Sequence, residues 1–231
     1  MRAYAALWVM LLHLHYGVGI KGHLNLGDGI RHGFWAVDVF FVLSGFILSL
    51  LYGSTLGAHD LRGTYRSYLA ARFARIYPLH VSTLGVLALL VLGHAAVSGF
   101  SSVSEAFGLR LLVINVLLLH GWGFAGRLNW NYPSWSISTE WFAYLVLLPL
   151  LCRTLRRAPA VGVLLFGTAL WTGLYVLVHH SDRLIGHQGD LWAIPRIVAE
   201  FTLGYGLFRL SSAVRIHPLA SDALVAAGTL G

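Results

Sequence analysis

The chain has 231 residues, of which 57% are hydrophobic and only 11% are charged, and its mean hydropathy is +0.71. Soluble domains carry about 25% charged residues, so this composition excludes an ordinary soluble domain and indicates an integral membrane protein. The net charge of +7 fits the positive-inside bias of membrane proteins, and the sequence shows no basic nucleic-acid-binding motif. A single cysteine, Cys152, excludes an intramolecular disulfide.

Apolar runs predict an all-α, polytopic bundle of about seven to eight membrane-spanning helices. In chain order, the predicted spans cover residues 3–19, 34–53, 74–97, 134–152, 160–179 and 191–209. A shorter apolar stretch covers 106–122, and a last run at 218–231 is too short to cross a hydrocarbon core of about 30 Å. With no repeat and no soluble segment, we expect residues 1–231 to form one transmembrane domain that is incomplete at its C-terminus.

The arginines predict the orientation of these helices, because cytoplasmic loops are enriched in Lys and Arg. The loop 54–73 carries Arg62, Arg66 and Arg72, which predicts a cytoplasmic loop and a cytoplasmic N-terminus. The loop 152–159 is equally basic. Both loops fall on the same side only if 106–122 does not cross the membrane. This stretch is therefore either re-entrant or tilted, or the charge bias is broken locally.

The first predicted span carries Arg2 near its start and His13 near its middle. Eleven residues at 100° each bring the two side chains onto one stripe of a helix, about 16 Å apart along its axis. In one interpretation, Arg2 binds anions at the cytoplasmic rim and His13 is a titratable imidazole deeper in the membrane. In the other, Arg2 only anchors the topology and His13 is a structural histidine. His15 points to another face of such a helix, so we expect no metal site from this pair.

The second span contains Asp38, which has no Lys or Arg nearby in sequence and needs a partner from another helix. His13 is one candidate, because a carboxylate orients and charges an imidazole. Ser44 and Gly45 are small and predict a close approach by a helix or ligand. The alternative is that Asp38 is a structural residue bonded between helices.

Further pairs of polar residues share helix faces in the later spans. Arg72 and Arg75, at i and i+3, are either phosphate ligands or plain cytoplasmic anchors. In the sequence PSWSISTEW, Ser136 and Glu140 lie at i and i+4, and Glu140 is either a general base, a group that orients a hydroxyl, or part of a structural network. Arg196 and Glu200 have the same i, i+4 spacing, which predicts an internal ion pair or a pocket edge.

Five segments in the same order resemble the membrane acyltransferase-3 family, the polytopic O-acyltransferases of bacterial surface polysaccharides. The resemblance covers nearly the whole chain. Arg2 and His13 match the family's Arg-x10-His pattern, and FWAVDVFFVLSGF is similar to its G-x-D-x-F-F-x-x-S-G-F segment, with Ala36 where glycine is common. The other matches are Arg72 and Arg75 before a Tyr-Pro, Trp135, Ser136, Ser138 and Glu140 in W-S-x-S-x-E, and Arg196, Glu200, Phe201 and Gly204 in R-x-x-x-E-F-x-x-G.

The resemblance implies a bundle of about ten spans in the bacterial inner membrane and transfer of an acyl group, expected to be acetyl, from cytoplasmic acyl-CoA to a hydroxyl of a saccharide or glycolipid. It implies no permanently bound cofactor and no metal. The family's histidine, here His13, is the expected base or acyl relay, with Asp38 and Glu140 as further catalytic candidates. The expected ligands of the CoA phosphates are Arg2, Arg72 and Arg75, and the expected pocket residues are Ser44, Trp135, Ser136, Ser138, Arg196 and Glu200.

Two other functions are compatible with the same residues. Intramembrane His, Asp and Glu also build the proton relays of transporters, so a proton-coupled permease is the main alternative. A permease typically has two related halves with paired broken helices, and we find no such internal symmetry in this sequence. The other possibility is a truncated, inactive scaffold.

Overall fold

The computed structural model describes residues 4, 7–12, 33, 35–57, 62–100, 103–125, 130–180 and 192–213. Within these ranges the chain forms helices and turns and no strand, which confirms the all-α prediction. Residues 7–12 are helical. The helices that follow are α1 (Trp35–Leu56), α2 (Arg62–Ser98), α3 (Leu109–Val116), α4 (Trp135–Phe142), α5 (Leu148–Thr154), α6 (Ala160–His180) and α7 (Ala193–Ala213).

Four helical segments of the described chain are long and apolar enough to cross a membrane. They are Trp35–Leu56, Tyr65–Ser98, Tyr132–Thr154 and Ala160–Val178, and they confirm the predicted spans at 34–53, 74–97, 134–152 and 160–179. The predicted span at 191–209 is helical as α7 but is not among these four. Of the remaining predictions, 218–231 and most of 3–19 lie outside the described residues.

The stretch 106–122 does not form a spanning helix. Its only α-helix among the described residues is α3, whose eight residues reach about 12 Å at 1.5 Å per residue. Short 3₁₀ turns at Glu105–Phe107 and His120–Trp122 lie before and after it. A segment this short cannot cross a core of about 30 Å, so the two basic loops fall on the same side of the bundle.

Arginines tie together the helix ends at that side. Arg156 donates to the carbonyl of Gly57, just after α1 (3.3 Å). Arg209, near the end of α7, donates to the carbonyls of Leu155 (2.7 Å) and Ala158 (3.0 Å) in the turn between α5 and α6. We call this the basic end of the bundle and define it by Arg153, Arg156, Arg157 and Arg209.

Helices α1 and α7 pack closely because glycines meet at their crossing. A Cβ on Gly45 would lie 2.8 Å from the carbonyl oxygen of Phe201, and a Cβ on Gly204 would overlap the carbonyl of Val42. Small residues allow membrane helices to approach at backbone distance. The close approach predicted for Gly45 is therefore confirmed, and the helix that it admits is α7.

A π-turn, Ala143–Leu147, joins α4 to α5. Pro149 has no N–H, so the carbonyl of Leu145, four residues earlier, loses its usual helical donor. The hydroxyl of Tyr65 from α2 donates to this carbonyl at 2.6 Å. The hydrogen bond holds α2 against the α4–α5 segment near the middle of the core, where Tyr68, Tyr144 and Leu148 are buried.

Candidate functional site

Helix α4 has two polar faces, one that lines a cavity and one that contacts the segment after α3. Ser136 and Glu140, one turn apart, line a cavity of about 290 Å³. The other described residues that line it are Val9, Val37, Phe40 and Phe41. Ser134 and Ser138 lie on the other face and contact the segment that follows α3. The first face therefore forms the candidate site, and the second holds its surroundings in place.

Glu140 is fixed from α1. The hydroxyl of Ser44 donates to Oε1 of Glu140 at 2.9 Å, which joins two residues predicted separately as site members. The partly buried carboxylate faces a cavity whose other walls are largely apolar. A carboxylate in this position can accept a proton from a hydroxyl or orient that hydroxyl.

Asp38 finds its partner on α7. Arg196 donates from Nε to Oδ1 (2.7 Å) and from Nη2 to Oδ2 (2.8 Å) of Asp38. The same Nε lies 3.3 Å from Oε1 of Glu200, which confirms the predicted pair of Arg196 and Glu200. All three residues are buried. The expectation that Asp38 needs a partner from another helix is thus confirmed, with Arg196 in that position.

Trp135 connects this ion network to the cavity wall. The guanidinium of Arg196 lies 5.5 Å from the centre of the Trp135 ring. Trp135 also packs edge-on against Phe41, with ring centres 6.3 Å apart. Since Phe41 lines the cavity, the network fixes one of its walls.

Arg72 and Arg75 differ in their surroundings although they share a region of α2. Arg72 packs over the ring of Tyr52 at 5.5 Å and donates from Nη2 to the Tyr52 hydroxyl at 3.3 Å. Its Nε is buried and has no hydrogen-bond partner among the described residues. Arg75 is exposed. Both guanidiniums keep donors that an anionic or carbonyl-bearing ligand can use.

Ser138 holds the segment after α3 against α4. Its hydroxyl donates to the carbonyl of Leu118 (2.6 Å) and accepts from the backbone N–H of Gly121 (2.9 Å). These bonds secure Leu118 in its left-handed conformation, with φ of 55°. Ser138 was predicted as a pocket residue, and the structure places it on the face of α4 opposite Glu140.

Two buried histidines in this region were not singled out from the sequence. His80 and His120 stack with ring centres 5.6 Å apart and planes inclined by 6°. Nε2 of His120 shares a hydrogen bond with Ser134 (2.9 Å), and Nε2 of His80 donates to the carbonyl of Asn115 (2.8 Å). Burial, reinforced by His80, lowers the pKa of His120 to about 4, so the His120 imidazole is neutral near pH 7.

The remaining predicted residues, Arg2 and His13, lie outside the described residues, as does His15. Within the described ranges, no three His, Cys, Asp or Glu side chains are grouped as metal ligands would be. The site as described consists of Glu140 with Ser44 and Ser136, the cavity they border, and the network of Asp38, Arg196 and Glu200 behind its wall.

Comparisons with known proteins identify the family. A family model described as an acyltransferase domain, that of the acyltransferase-3 family, matches residues 1–230. The chain is 32% identical over 165 residues to "Acyltransferase MdmB" of Streptomyces mycarofaciens, an alignment that covers 69% of this chain and 39% of that protein. It is 45% identical over 115 residues to "Protein 2 in picA locus" of Rhizobium radiobacter, covering 46% of this chain and 59% of that protein.

No solved structure matches the chain. The parts aligned with the two relatives amount to 39% and 59% of their own lengths. The family match extends over nearly every residue, and the chain belongs to the acyltransferase-3 family.

Proposed function

We propose that this member of the acyltransferase family moves an acyl group, expected to be acetyl, from cytoplasmic acyl-CoA to a hydroxyl of a cell-surface saccharide or similar acceptor. The observation that carries the proposal is the position of Glu140, a carboxylate inside a helical bundle that faces a cavity and is held by Ser44. An ionisable residue within a membrane helix is costly and marks a functional site. In an acyltransferase, such a group suits the activation or orientation of a hydroxyl.

His13 is the proposed base or acyl relay. Val9 lines the cavity beside Glu140, and His13 follows Val9 in the sequence by four residues, about one turn of a helix. His13 itself lies outside the described residues, and its proposed role rests on the Arg-x10-His pattern it shares with the family. Both oxygens of Asp38 accept from Arg196, which favours a supporting role for Asp38 over direct contact with a reacting group.

The donor is proposed to bind through Arg2, Arg72 and Arg75. Guanidiniums bind phosphates through paired hydrogen bonds, and the exposed position of Arg75 supports this assignment. In the transfer, the acceptor hydroxyl oxygen bonds to the acyl carbon and the C–S bond breaks. The hydroxyl proton ends on the departing thiolate, so the reaction consumes no net proton.

The proposed location is the bacterial inner membrane, with the basic end in the cytoplasm. Cytoplasmic loops are enriched in Lys and Arg, and Arg153, Arg156 and Arg157 lie together at this end with Arg209. This placement puts the cytoplasmic pool of acyl-CoA on the same side as the arginine-rich loops. The N-terminus would then also be cytoplasmic.

The test is donor-dependent labelling of an acceptor. Membranes that carry the protein are incubated with acetyl-CoA labelled in its acetyl group, and alkali-labile label is measured in the envelope fraction. We expect label with the wild type and a loss of at least about tenfold with Glu140→Gln, whereas Glu105→Gln, at an exposed site, keeps wild-type labelling. Substrate uptake into liposomes without any dependence on CoA would instead support a permease.

A further inference from the structure

We propose that Tyr52 is a positioning residue for Arg72, which it holds as a phosphate ligand between the basic end of the bundle and Glu140. The inference rests on the proposed function, because it concerns how Arg72 binds the phosphates of the acyl donor. Tyr52 lies on α1 and Arg72 on α2. Tyr52 belongs to none of the sequence segments that indicate the site.

The first step is the contact between the two residues. The guanidinium of Arg72 lies over the ring of Tyr52, 5.5 Å from its centre, and Nη2 donates to the Tyr52 hydroxyl at 3.3 Å. A guanidinium is attracted to the negative face of an aromatic ring, and here the hydroxyl accepts a hydrogen bond in addition. One side chain therefore constrains both the position of the guanidinium and the direction of one of its N–H groups.

The second step is the packing that holds Tyr52 in place. Its ring packs against that of Tyr68 on α2, with ring centres 4.9 Å apart and planes inclined by 63°. Tyr68 is 1% exposed, and its ring also packs edge-on against Tyr144 at 6.4 Å. Tyr68 and Arg72 are four residues apart, so they lie one turn apart on the same side of α2. Tyr52 therefore contacts two side chains of α2, and the buried one fixes its ring.

The third step is the charge of the pair. Arg72 is partly exposed, and no carboxylate of the described residues forms an ion pair with it. Arg196 differs, because Asp38 accepts two of its N–H groups and balances its charge. A tyrosine orients a guanidinium without neutralising it, so the positive charge of Arg72 can act on a phosphate.

The fourth step is the place of the pair in the bundle. Tyr52 lies less than two turns before Gly57, whose carbonyl is bound at the basic end. In the other direction it lies eight residues after Ser44, the partner of Glu140, which is about 12 Å along α1. The phosphates and the thioester of an acyl-CoA lie at opposite ends of its pantetheine arm, so a phosphate ligand must lie away from the site of transfer. Arg72 is displaced in this way, toward the proposed cytoplasmic side.

A second arginine–tyrosine pair provides a matched control. The guanidinium of Arg209 lies 5.8 Å from the centre of the Tyr205 ring, and its Nη1 donates to the Tyr205 hydroxyl at 3.3 Å. The geometry is nearly the same, but Arg209 also donates to the carbonyls of Leu155 and Ala158. Because these bonds commit Arg209 to the turn between α5 and α6, substitutions of Tyr205 should not affect donor binding.

The experiment measures the KM for acetyl-CoA and the maximal rate of transfer in membranes, and the Kd of CoA on the purified full chain. We expect Tyr52→Leu to raise KM and Kd about three- to thirtyfold, the range for loss of a cation–π contact, with the maximal rate unchanged. Tyr52→Phe keeps the ring face and should raise both about two- to tenfold. In an Arg72→Gln background, Tyr52→Leu should have almost no further effect, because Tyr52 acts through Arg72.

The controls Tyr205→Phe and Tyr205→Leu should keep the wild-type KM. A wild-type KM and Kd in both Tyr52 variants, or an equal rise from Tyr52→Leu in the Arg72→Gln background, would overturn the inference while leaving the acyltransferase function intact. A wild-type chain that neither binds CoA nor transfers from acetyl-CoA would overturn the proposed function, and the inference with it. Thermal unfolding identifies a misfolded variant, and Tyr52→Phe, which keeps the packed ring, decides the test if Tyr52→Leu does not fold.

Discussion

Arg196 on α7 binds Asp38 on α1 through two parallel hydrogen bonds of 2.7 and 2.8 Å, across 158 residues of sequence. Glu200 lies 3.3 Å from the same guanidinium and is fully buried. One guanidinium balances one carboxylate charge, and a second uncompensated charge in a low-dielectric interior is costly. The network is therefore arranged for a single ionised carboxylate, and the bidentate geometry assigns that charge to Asp38.

The two carboxyl groups should consequently differ in their response to amide substitution. Asp38→Asn removes the carboxylate that the buried Arg196 binds through two hydrogen bonds and should destabilise the protein by roughly 3–5 kcal/mol. Glu200→Gln replaces a neutral acid by a neutral amide and should cost less than about 1 kcal/mol. Unfolding of the purified variants in detergent measures both. Equal losses from the two substitutions would contradict the charge assignment.

The glycine crossing of α1 and α7 predicts a steric effect. Gly204→Ala places a Cβ against the carbonyl of Val42 and the backbone N of Phe46, so it should destabilise the bundle by about 1–3 kcal/mol. Gly85→Ala on α2 is the matched control, because its Cβ meets nothing within 4 Å and helix propensity favours alanine. Relative to wild type, Gly204→Ala should lower the unfolding temperature clearly, whereas Gly85→Ala should raise it or leave it nearly unchanged.

The hydrogen bond from Tyr65 to the carbonyl of Leu145 predicts a second effect on stability. Tyr65→Phe keeps the ring but removes the hydroxyl that donates to this carbonyl, to which Pro149 has no N–H to offer. Loss of one partly buried hydrogen bond costs about 0.5–1.5 kcal/mol. In a Pro149→Ala background, where the backbone N–H is restored, the same substitution should cost less. An equal cost in both backgrounds would mean that the hydroxyl contributes in another way.

The stacked histidines predict a dependence of stability on pH. Burial lowers the pKa of His120 from 6.5 to about 4 in the folded protein, whereas the unfolded chain keeps the ordinary value of about 6.5. Between these values the unfolded state binds more protons, so stability is full above pH 6.5 and falls as the pH drops toward 4, by about 3 kcal/mol at most. His120→Gln should flatten this decline between pH 4 and 6.5, and an unchanged slope would contradict the assignment.

Some features of the site could be predicted from the sequence, because each depends on the residues of a single helix. An isolated carboxylate such as Asp38 in an apolar run predicts a partner, and the i, i+4 spacing of Arg196 and Glu200 predicts their contact. The spacing of Ser136 and Glu140 placed both on one face, and they line the same cavity. Counting arginines raised the question of whether 106–122 spans but left a local break in the charge bias open as the alternative, and the short α3 decided between them.

Other contacts could not be predicted, because they join residues on different helices, and the spacing of residues along one helix gives no information about them. Ser44 and Glu140 are 96 residues apart, and nothing local indicates their hydrogen bond. His80 and His120 each resemble an ordinary polar residue at a helix or loop, and only the fold stacks them. The π-turn changes the direction in which the following side chains point, and a pattern of 3.6 residues per turn does not predict this change. The one local signal is Pro149, which has no N–H to donate to an earlier carbonyl.

The measurement that tests the account most directly is the transfer of labelled acetyl groups from acetyl-CoA to the cell-envelope fraction by wild type and His13→Ala, with His94→Ala as the control on α2. Protein amounts in the membrane are equalised before the assay. The account predicts alkali-labile label with the wild type and with His94→Ala, and its loss with His13→Ala. Wild-type labelling by His13→Ala would contradict the assignment of His13 as base or acyl relay, and the absence of label from the wild type would contradict acetyl-CoA as the donor.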